Sequence, residues 1–188
     1  MFQKTAASKE VILPDDALVR HAKQGPANFQ PLYEAYFSRI YMFILYRVAD
    51  KDTAGDLAQQ TFLNAMLNIQ NYEMRGVPFS SWLYRIALNQ CNAYYRKAKR
   101  ERTIVLEEKH MEDLVEELID TESMDEWKQS LPRVLGELKA ADLQIIELRF
   151  LDGRPFREVG EILGISENLA KVRTYRVLDR MKKMLTTI

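Results

Sequence analysis

The sequence is poor in the residues that build disulfides and metal sites. Among its 188 residues it has one cysteine, Cys91, and two histidines, His21 and His110, that stand far apart. A single cysteine cannot form an intramolecular disulfide, and two distant histidines give no ligand cluster for a transition metal. The sequence therefore predicts neither a disulfide-stabilised fold nor a metal site, and we expect no cofactor.

Long apolar runs are also missing. The longest, IYMFILY at residues 40–46, is far too short to span a bilayer. The start of the chain, MFQKTAASKEVILPDD, lacks the apolar stretch and the cleavage site of a secretory signal. We therefore expect a cytoplasmic protein with no direct membrane insertion.

Glycine and proline are scarce, at seven and six residues. Because both residues break helices, their rarity favours an all-α protein. Periodic apolar residues predict a first group of helices at about 15–25, 27–49, 51–69 and 79–100, with a Gly/Pro loop at 70–78. A second group is predicted at 131–138, 142–151, 155–163 and from 167. Asp142 is the expected cap of the 142–151 helix, and Gly153 is its expected stop.

Charge is unevenly distributed, although 27 bases balance 27 acids over the whole chain. Residues 85–102 hold six bases against one acid, and residues 165–188 hold six against two, whereas 107–126 hold ten acids against one base. Two basic blocks on a neutral chain suggest two contacts with nucleic acid. We expect two small helical domains, 12–102 and 130–188, joined by an acidic linker at 103–129.

The last two predicted helices carry a helix-turn-helix pattern. Gly164 suits the left-handed residue that ends a helix, Ile165 can supply the accompanying apolar contact, and Ser166 can cap the next helix. The second domain is therefore expected to be a four-helix, winged-helix-like helix-turn-helix domain. On a helical wheel, its last helix separates an apolar face from a basic one that holds Lys171, Val172, Arg173, Tyr175 and Arg176.

Two interpretations of this basic face are open. It can be an ordinary solvated surface, or it can be a recognition helix whose arginines contact phosphates or guanine in the major groove. The preceding helix, the tight turn and the cap stand in the order that recognition requires, which favours a DNA contact.

The fourth predicted helix interleaves aromatic residues with bases. Such a mixture is typical of single-stranded nucleic acid binding, in which bases stack on rings while cations follow the backbone. The alternative is that Phe79, Trp82 and Ile86 simply belong to the core. Asn89 fits the first interpretation better, because an amide that follows a Gly/Pro loop can contact the edge of an extruded base.

Three segments resemble, in this order, the bacterial extracytoplasmic-function (group IV) RNA polymerase sigma factors. They are DLAQQTFLNAM, PFSSWLYRIALN and LRFLDGRPFREVGEILGISENLAKVRTYRVLDRM. The likeness covers about 27–100 and 131–185, and the block from Trp82 to Asn89 is quite specific. Carboxylates are plentiful, but none stands with a nucleophile or at a metal-ligand spacing, so we do not expect an enzyme. The resemblance implies instead a protein of transcription initiation. It would bind core RNA polymerase and direct promoter-specific transcription initiation by recognising the −35 element and capturing the melted −10 element.

The resemblance also implies roles by position. Docking on the clamp coiled coil of the largest polymerase subunit is implied for Asp56, Leu57, Gln59, Gln60 and Phe62. Contact with the single-stranded −10 element is implied for Arg75, Phe79, Trp82, Arg85, Asn89, Arg96, Lys97 and Arg100. Contact with the −35 element is implied for Arg149, Lys171, Val172, Arg173, Tyr175 and Arg176. Implied partners are core polymerase, including the flap of its second largest subunit, promoter DNA and an anti-sigma protein.

The sequence departs from the family pattern at several positions. Gln60 stands where Glu is usual, and Ala93 where Asp or Asn is common. Leu169-Ala170-Lys171-Val172 replaces the usual Thr-Val-Lys-Ser, so the base preference at the −35 element does not transfer. Two other functions stay open, a stand-alone helix-turn-helix transcription regulator and a sigma-like decoy that only binds an anti-sigma protein.

Overall fold

The computed structural model describes residues 15–73, 76–98, 114, 115, 117, 118 and 124–186. Within these residues the regular structure is helical and contains no strand. The helices form two groups, one before and one after the acidic segment. The expected all-α class is thereby confirmed.

The first group contains four α-helices, which match the four predicted ones to within a few residues at each end. They are α1 (Asp15–Ala22), α2 (Gln30–Val48), α3 (Lys51–Asn68) and α4 (Phe79–Ala98). Short 3₁₀ turns follow α1 at Pro26–Phe29 and α3 at Ile69–Asn71. Helices α2, α3 and α4 pack on one another, and their buried apolar residues include Leu32, Ile40, Phe62, Leu83 and Ala87.

A tight corner joins α2 to α3. Ala49 adopts a left-handed backbone with a φ of 55°, and its N–H donates to the Leu45 carbonyl oxygen at 2.8 Å. Asp50 then caps α3, since its carboxylate accepts from the Thr53 N–H at 2.8 Å. The corner turns the chain so that α3 lies against α2 and its other side faces solvent.

The second group contains α5 (Met124–Glu137), α6 (Ala140–Ile146), α7 (Phe156–Leu163) and α8 (Glu167–Thr186). Helix α5 begins at Met124 rather than near residue 131, and Pro132 therefore lies inside it. Its carboxy-terminal half and the residue after it bury an apolar stripe at helical spacing, Leu131, Val134, Leu135 and Leu138, which is the part that the sequence pattern predicted.

The predicted 142–151 helix is divided in two. Helix α6 begins at Ala140, so the expectation that Asp142 caps it is wrong. Asp142 is the third residue of the helix, and its carboxylate accepts instead from Arg180 Nη1 on α8 at 2.5 Å. A π-helical turn, Glu147–Leu151, follows α6, and the chain then leaves the helix through Gly153 with a φ of 63°, as expected.

The turn between α7 and α8 is the predicted one. Gly164 is left-handed with a φ of 70°. Its N–H donates to the Glu161 carbonyl oxygen at 3.3 Å, and the Ile165 N–H donates to that of Gly160 at 2.9 Å, which are the two bonds of a Schellman motif. Ser166 Oγ accepts from the Leu169 N–H at 3.2 Å and so caps α8.

Gly160 lies where α7 approaches the start of α8. A Cβ at this position would lie 2.8 Å from the Ile165 carbonyl oxygen and 3.1 Å from the Glu167 nitrogen. Both are backbone atoms, so the turn would have to shift. We expect Gly160→Ala to lower the free energy of unfolding by about 1–3 kcal/mol, measured by thermal or urea unfolding.

The matched control is Gly136→Ala in α5, where an added Cβ would meet nothing within 4 Å. Since alanine is the better helix former, this change is expected to be neutral or slightly stabilising. Equal destabilisation by the two substitutions would contradict the importance of the close approach at Gly160.

The segment predicted as an acidic linker, 103–129, is described only in part. Leu114, Val115 and Leu118 have helical backbone and are fully buried, so this segment contributes apolar side chains to the core. The two groups of helices also touch directly, because α4 packs against α7.

Candidate functional site

Helix α8 presents a continuous exposed surface of cations and one aromatic ring. Lys171, Arg173, Tyr175 and Arg176 are all exposed, and so is Val172 between them. The opposite side of the helix, with Ala170, Thr174, Val177, Leu178, Met181 and Leu185, is buried. The predicted division of α8 into two faces is thus confirmed. Exposed arginines after a capped turn can contact phosphates or guanine O6 and N7.

Arg149 lies beside this surface rather than on it. Its guanidinium is half-buried, 5.0 Å from the centre of the Phe156 ring, and its Nη1 donates to the Arg154 carbonyl oxygen at 3.2 Å. The Phe156 ring lies in turn 6.2 Å from the ring of Tyr175. Phe156 therefore connects Arg149 to the exposed surface of α8, a role that the sequence pattern did not reveal.

A cavity of about 430 Å³ opens between the end of α3 and the middle of α4. It brings together two of the predicted −10 residues, Trp82 and Asn89, and adds Ile86. Four further amides line it, Asn64, Asn68, Asn71 and Gln90. We call this set of seven residues the amide pocket. Its combination of an aromatic ring and several amides suits a nucleobase, which offers a π face and a polar edge.

The three asparagines of the pocket, two on α3 and Asn71 in the 3₁₀ turn after it, were missed because no family motif marks them. Their spacing is nevertheless a usable signal, since residues 64, 68 and 71 fall on one face of a helix. Asn68 Nδ2 donates to the Asn64 carbonyl oxygen at 2.9 Å. This bond leaves Asn68 Oδ1 as an acceptor, which can receive a hydrogen bond from the exocyclic amino group of a base.

The ring of Trp82 is supported from behind by a cluster of aromatic residues. Tyr72 and Phe79 lie 5.1 and 5.6 Å from it, centroid to centroid. Phe79 itself is 1% exposed, so its ring belongs to the core and can act on a base only by positioning Trp82. The sequence interpretation of Phe79 as core holds, whereas Trp82 is only partly buried.

The predicted −10 cations do not all lie together. Arg96 and Lys97 are exposed at the end of α4. The side chain of Arg85 instead reaches the turn before α8, where a Cβ added to Gly164 would lie 3.1 Å from Arg85 Nη2. Arg75 and Arg100 lie outside the described residues.

A third surface lies on the outer side of α3. Asp56, Gln59 and Gln60 are exposed and Leu57 is half-buried. Phe62 is only 3% exposed and packs edge-on against Tyr33 at 4.9 Å, so it supports this surface from inside. Two exposed leucines continue the same side of the helix, Leu63 and Leu67. The sequence pattern did not single them out.

Other kinds of site find no support in the described part of the chain. No group of three or more His, Cys, Asp or Glu residues there is placed to hold a metal ion. No described helix is long and apolar enough to cross a bilayer.

Comparisons with known proteins match each group of helices to a region of the sigma-70 family. The family model described as sigma-70 region 2 matches residues 32–101, and that described as sigma-70 region 4 matches residues 134–183. The chain is 30% identical over 158 residues to the ECF RNA polymerase sigma factor SigM of Bacillus subtilis, covering 81% of this chain and 92% of SigM. It is 28% identical over 170 residues to the ECF RNA polymerase sigma factor BldN of Streptomyces coelicolor, covering 89% of this chain and 64% of BldN.

Solved structures show the same fold. CnrH in complex with the cytosolic domain of CnrY is 19% identical, with a TM-score of 0.60 over 92% of this chain and 97% of that one. The sigma factor RpoE in complex with the anti-sigma factor NepR from Bartonella quintana is 21% identical, with a TM-score of 0.55 over 85% of this chain and 97% of that one.

Proposed function

Since this chain belongs to the extracytoplasmic-function sigma factors, which direct RNA polymerase to promoters, we propose that three separate surfaces share the task. The exposed face of α8 binds the −35 element, the amide pocket captures a base of the melted −10 element, and the outer side of α3 docks on core polymerase. One observation carries this proposal: an exposed cationic helix after a capped turn and a cavity lined by a tryptophan and several amides occur on the same chain.

The −35 contact follows from the chemistry of α8. Its exposed side chains are long cations whose charge matches the phosphates, and arginine can also pair with guanine through two hydrogen bonds. Val172 and Tyr175 add apolar surface that suits the methyl group of thymine. Arg149 is held beside Phe156 and is expected to contact the backbone rather than a base.

Capture of the −10 element depends on the free energy of opening the duplex as well as on the shape of the pocket. Opening a duplex gives up stacking of about 1.4 kcal/mol per base-pair step. Capturing one base on an aromatic ring returns about 1–3 kcal/mol. A single pocket therefore cannot hold open a bubble of many base pairs, and core polymerase must contribute the rest. This balance explains why a sigma factor is expected to bind promoter DNA weakly by itself.

Docking on core polymerase is assigned to the exposed residues of α3, with the clamp coiled coil of the largest subunit as the expected partner. The second group of helices would engage the flap of the second largest subunit.

We expect Asp56→Lys to weaken binding to core polymerase at least about tenfold, because the change inverts the charge at the centre of the contact. Gel filtration or fluorescence titration with core polymerase measures the loss.

The control for this prediction is Asp16→Lys, the same substitution at an exposed position of α1, which belongs to the first group but lies outside all three surfaces. It is expected to bind core polymerase like the unmodified protein. Normal binding by Asp56→Lys would remove α3 from the docking surface.

Both rival functions are separable from this one. A stand-alone regulator would bind duplex operator DNA tightly without polymerase, and a decoy would bind an anti-sigma protein without supporting initiation. CnrH and RpoE were solved with CnrY and with the anti-sigma factor NepR, respectively, which supports an anti-sigma partner for this chain too. We further propose that the chain has no catalytic role and works in the cytoplasm, where core polymerase is found.

The deciding experiment is run-off transcription with core polymerase from the same bacterium. The templates form a library with randomised −35 and −10 elements, and the transcripts are sequenced. We expect the protein to select a defined pair of elements at a fixed spacing. Transcription no more frequent or selective than that of core polymerase alone would refute the proposed function.

A further inference from the structure

The turn that follows α3 is tied to the end of α1 by side-chain hydrogen bonds. Lys23, just after α1, is half-buried, and its ammonium group donates to the Tyr72 carbonyl oxygen at 2.6 Å and, at the limit of a hydrogen bond, to the Gln70 carbonyl oxygen at 3.4 Å. In return, Gln70 Nε2 donates to the Lys23 carbonyl oxygen at 2.6 Å. We call these three hydrogen bonds the Lys23 bracket.

The Lys23 bracket encloses a residue of the amide pocket. The two carbonyl groups that it holds belong to the residues immediately before and after Asn71, which lines the pocket. The ring of Tyr72 lies 5.1 Å from that of Trp82, centroid to centroid. One ammonium group therefore restrains the backbone on both sides of a pocket amide, together with a residue that supports the aromatic ring of the pocket.

Asn71 depends on such a contact more than the other amides of the pocket do. The other four belong to α3 and α4, so helical hydrogen bonds hold their backbones. Asn71 ends a 3₁₀ turn of three residues, in which the Tyr72 N–H donates to the Ile69 carbonyl oxygen at 3.1 Å. So short a turn has little stability by itself. Its position therefore depends on contacts with the rest of the protein.

Apolar packing between the same two segments is incomplete. A cavity of about 210 Å³ remains between the chain after α1 and the end of α3. Its lining is mostly apolar and includes Pro26, Met66, Leu67 and Ile69. Because side chains around a cavity lose part of their dispersion contacts, this packing restrains the turn less than a filled core would. The restraint on the turn consequently depends on the polar bonds of the Lys23 bracket.

We propose that Lys23 and Gln70 are positioning residues for the capture of a −10 base, and that they act by holding Asn71 and Trp82 in the wall of the amide pocket. This role rests on the proposed function, because it assigns both residues to the base capture proposed above. Neither is among the described residues that line the pocket, so neither is expected to contact the base. The end of α1 thus takes part in promoter opening.

The chemistry of base capture explains why such a restraint matters. A hydrogen bond between an amide and the edge of a base needs a donor–acceptor distance of about 2.7–3.2 Å, and it weakens steeply when the angle is poor. A turn that moves freely meets these limits only part of the time, so binding of the base would first have to order it. Bonds from an ammonium group to carbonyl oxygens are stronger than neutral ones, which suits Lys23 to this role.

Amide hydrogen exchange in the free protein tests the bracket itself. Lys23→Met keeps the length of the side chain but removes its charge and its donors. We expect the amides of residues 69–72 to exchange about three- to tenfold faster in this variant, as the loss of about one hydrogen bond predicts. Gln70→Leu, which removes only the reciprocal bond, should act in the same direction.

The matched control is Arg20→Met, which removes a cation from an exposed position of α1. It should leave exchange in the turn unchanged. Circular dichroism shows whether each variant keeps its helices.

Transcription by the assembled holoenzyme tests the consequence for base capture. We expect Lys23→Met to slow promoter opening by about three- to tenfold while core binding and closed-complex formation stay normal, whereas a general loss of folding would lower all three. Lys23→Arg, which keeps the charge and several donors, should recover most of the rate. On a template whose −10 region is already unpaired, Lys23→Met should regain most of its activity. Arg20→Met should open the promoter at the wild-type rate.

A double variant shows whether Lys23 acts through the pocket. Asn71→Ala removes the amide that the bracket positions. If Lys23 acts by placing that amide, the Lys23→Met/Asn71→Ala variant should lose less than the product of the two single losses. Losses that simply multiply would contradict the positioning role.

The results separate the bracket from the proposed function. Unchanged exchange in the turn of Lys23→Met would overturn the bracket, and faster exchange with a normal rate of opening would overturn its role in base capture. Failure of the wild type to initiate from any promoter would overturn the proposed function, and the role in base capture with it. Faster exchange would in that case still establish the bracket as the contact that orders the turn.

Discussion

Replacing Arg173 and Arg176 together by alanine is expected to lower initiation from the selected promoter by at least about thirtyfold, because each well-placed arginine contact with a base is worth about 1–3 kcal/mol. The two residues are neighbours on the exposed face of α8 and are accessible to solvent. The loss should appear in the first step, the formation of a closed promoter complex, which filter binding with the assembled holoenzyme measures. Binding of core polymerase itself should not change.

The control is Arg133→Ala, which removes one arginine charge from an exposed position on α5. Its weak ion pair with Glu137 at 4.0 Å contributes little to stability, so this variant should initiate normally.

A second comparison distinguishes base contacts from phosphate contacts. If Arg173 and Arg176 read bases, the double variant should also lose discrimination against altered −35 elements; a uniform loss on all templates indicates phosphate contact only. Undiminished initiation would remove α8 from promoter recognition.

The features that the sequence predicted well are those that depend on neighbours along the chain. The two faces of α8 follow from helical periodicity, and the turn at Gly164 and Ser166 follows from local backbone chemistry. Both were predictable because their partners lie within one or two helical turns. The same reasoning singled out Asn89, which lines the amide pocket together with Trp82; its contact with a base stays a prediction.

The features that the sequence pattern did not predict depend on contacts between distant segments. The apolar periodicity places Phe62 and Phe79 on the apolar faces of their helices, but it does not show whether another helix packs on those faces. Both residues are buried. Asp142 has the right residue type for a cap, but α8 brings Arg180 within reach of its carboxylate. Arg47 pairs with Glu147 and Asp152, about one hundred positions away, and no local sequence pattern predicts such a pair.

The amide pocket was predicted only in part. Trp82 and Asn89 were predicted from one helix and one motif, whereas Asn64, Asn68 and Asn71 come from α3 and the 3₁₀ turn that follows it. Their contribution became visible only when α3 and α4 were placed side by side. The pocket consequently has more hydrogen-bonding groups than the motif implies, so the base capture that we propose would include selection of the base.

Asn89→Ala is expected to lower run-off transcription from a duplex promoter by about five- to 150-fold, which corresponds to the loss of about 1–3 kcal/mol of base contact. Asn89 is exposed at the rim of the amide pocket, so the substitution removes hydrogen bonds to the base without disturbing the core. Closed-complex formation should stay normal. The measurement is single-round transcription beside permanganate footprinting, which detects unpaired thymines in the opened region.

A template whose −10 region is already unpaired distinguishes this role from a general defect. On such a template the duplex does not have to be opened, so the Asn89→Ala variant should recover most of its activity, whereas the Arg173/Arg176 variant should not. Gln129→Ala, which removes an exposed amide from α5, serves as the control and should be normal on both templates. If the pre-opened template rescued neither variant, base capture by the amide pocket would not be the step that Asn89 serves. The contrast between the two variants is the most direct way to assign promoter binding to α8 and promoter opening to α3 and α4.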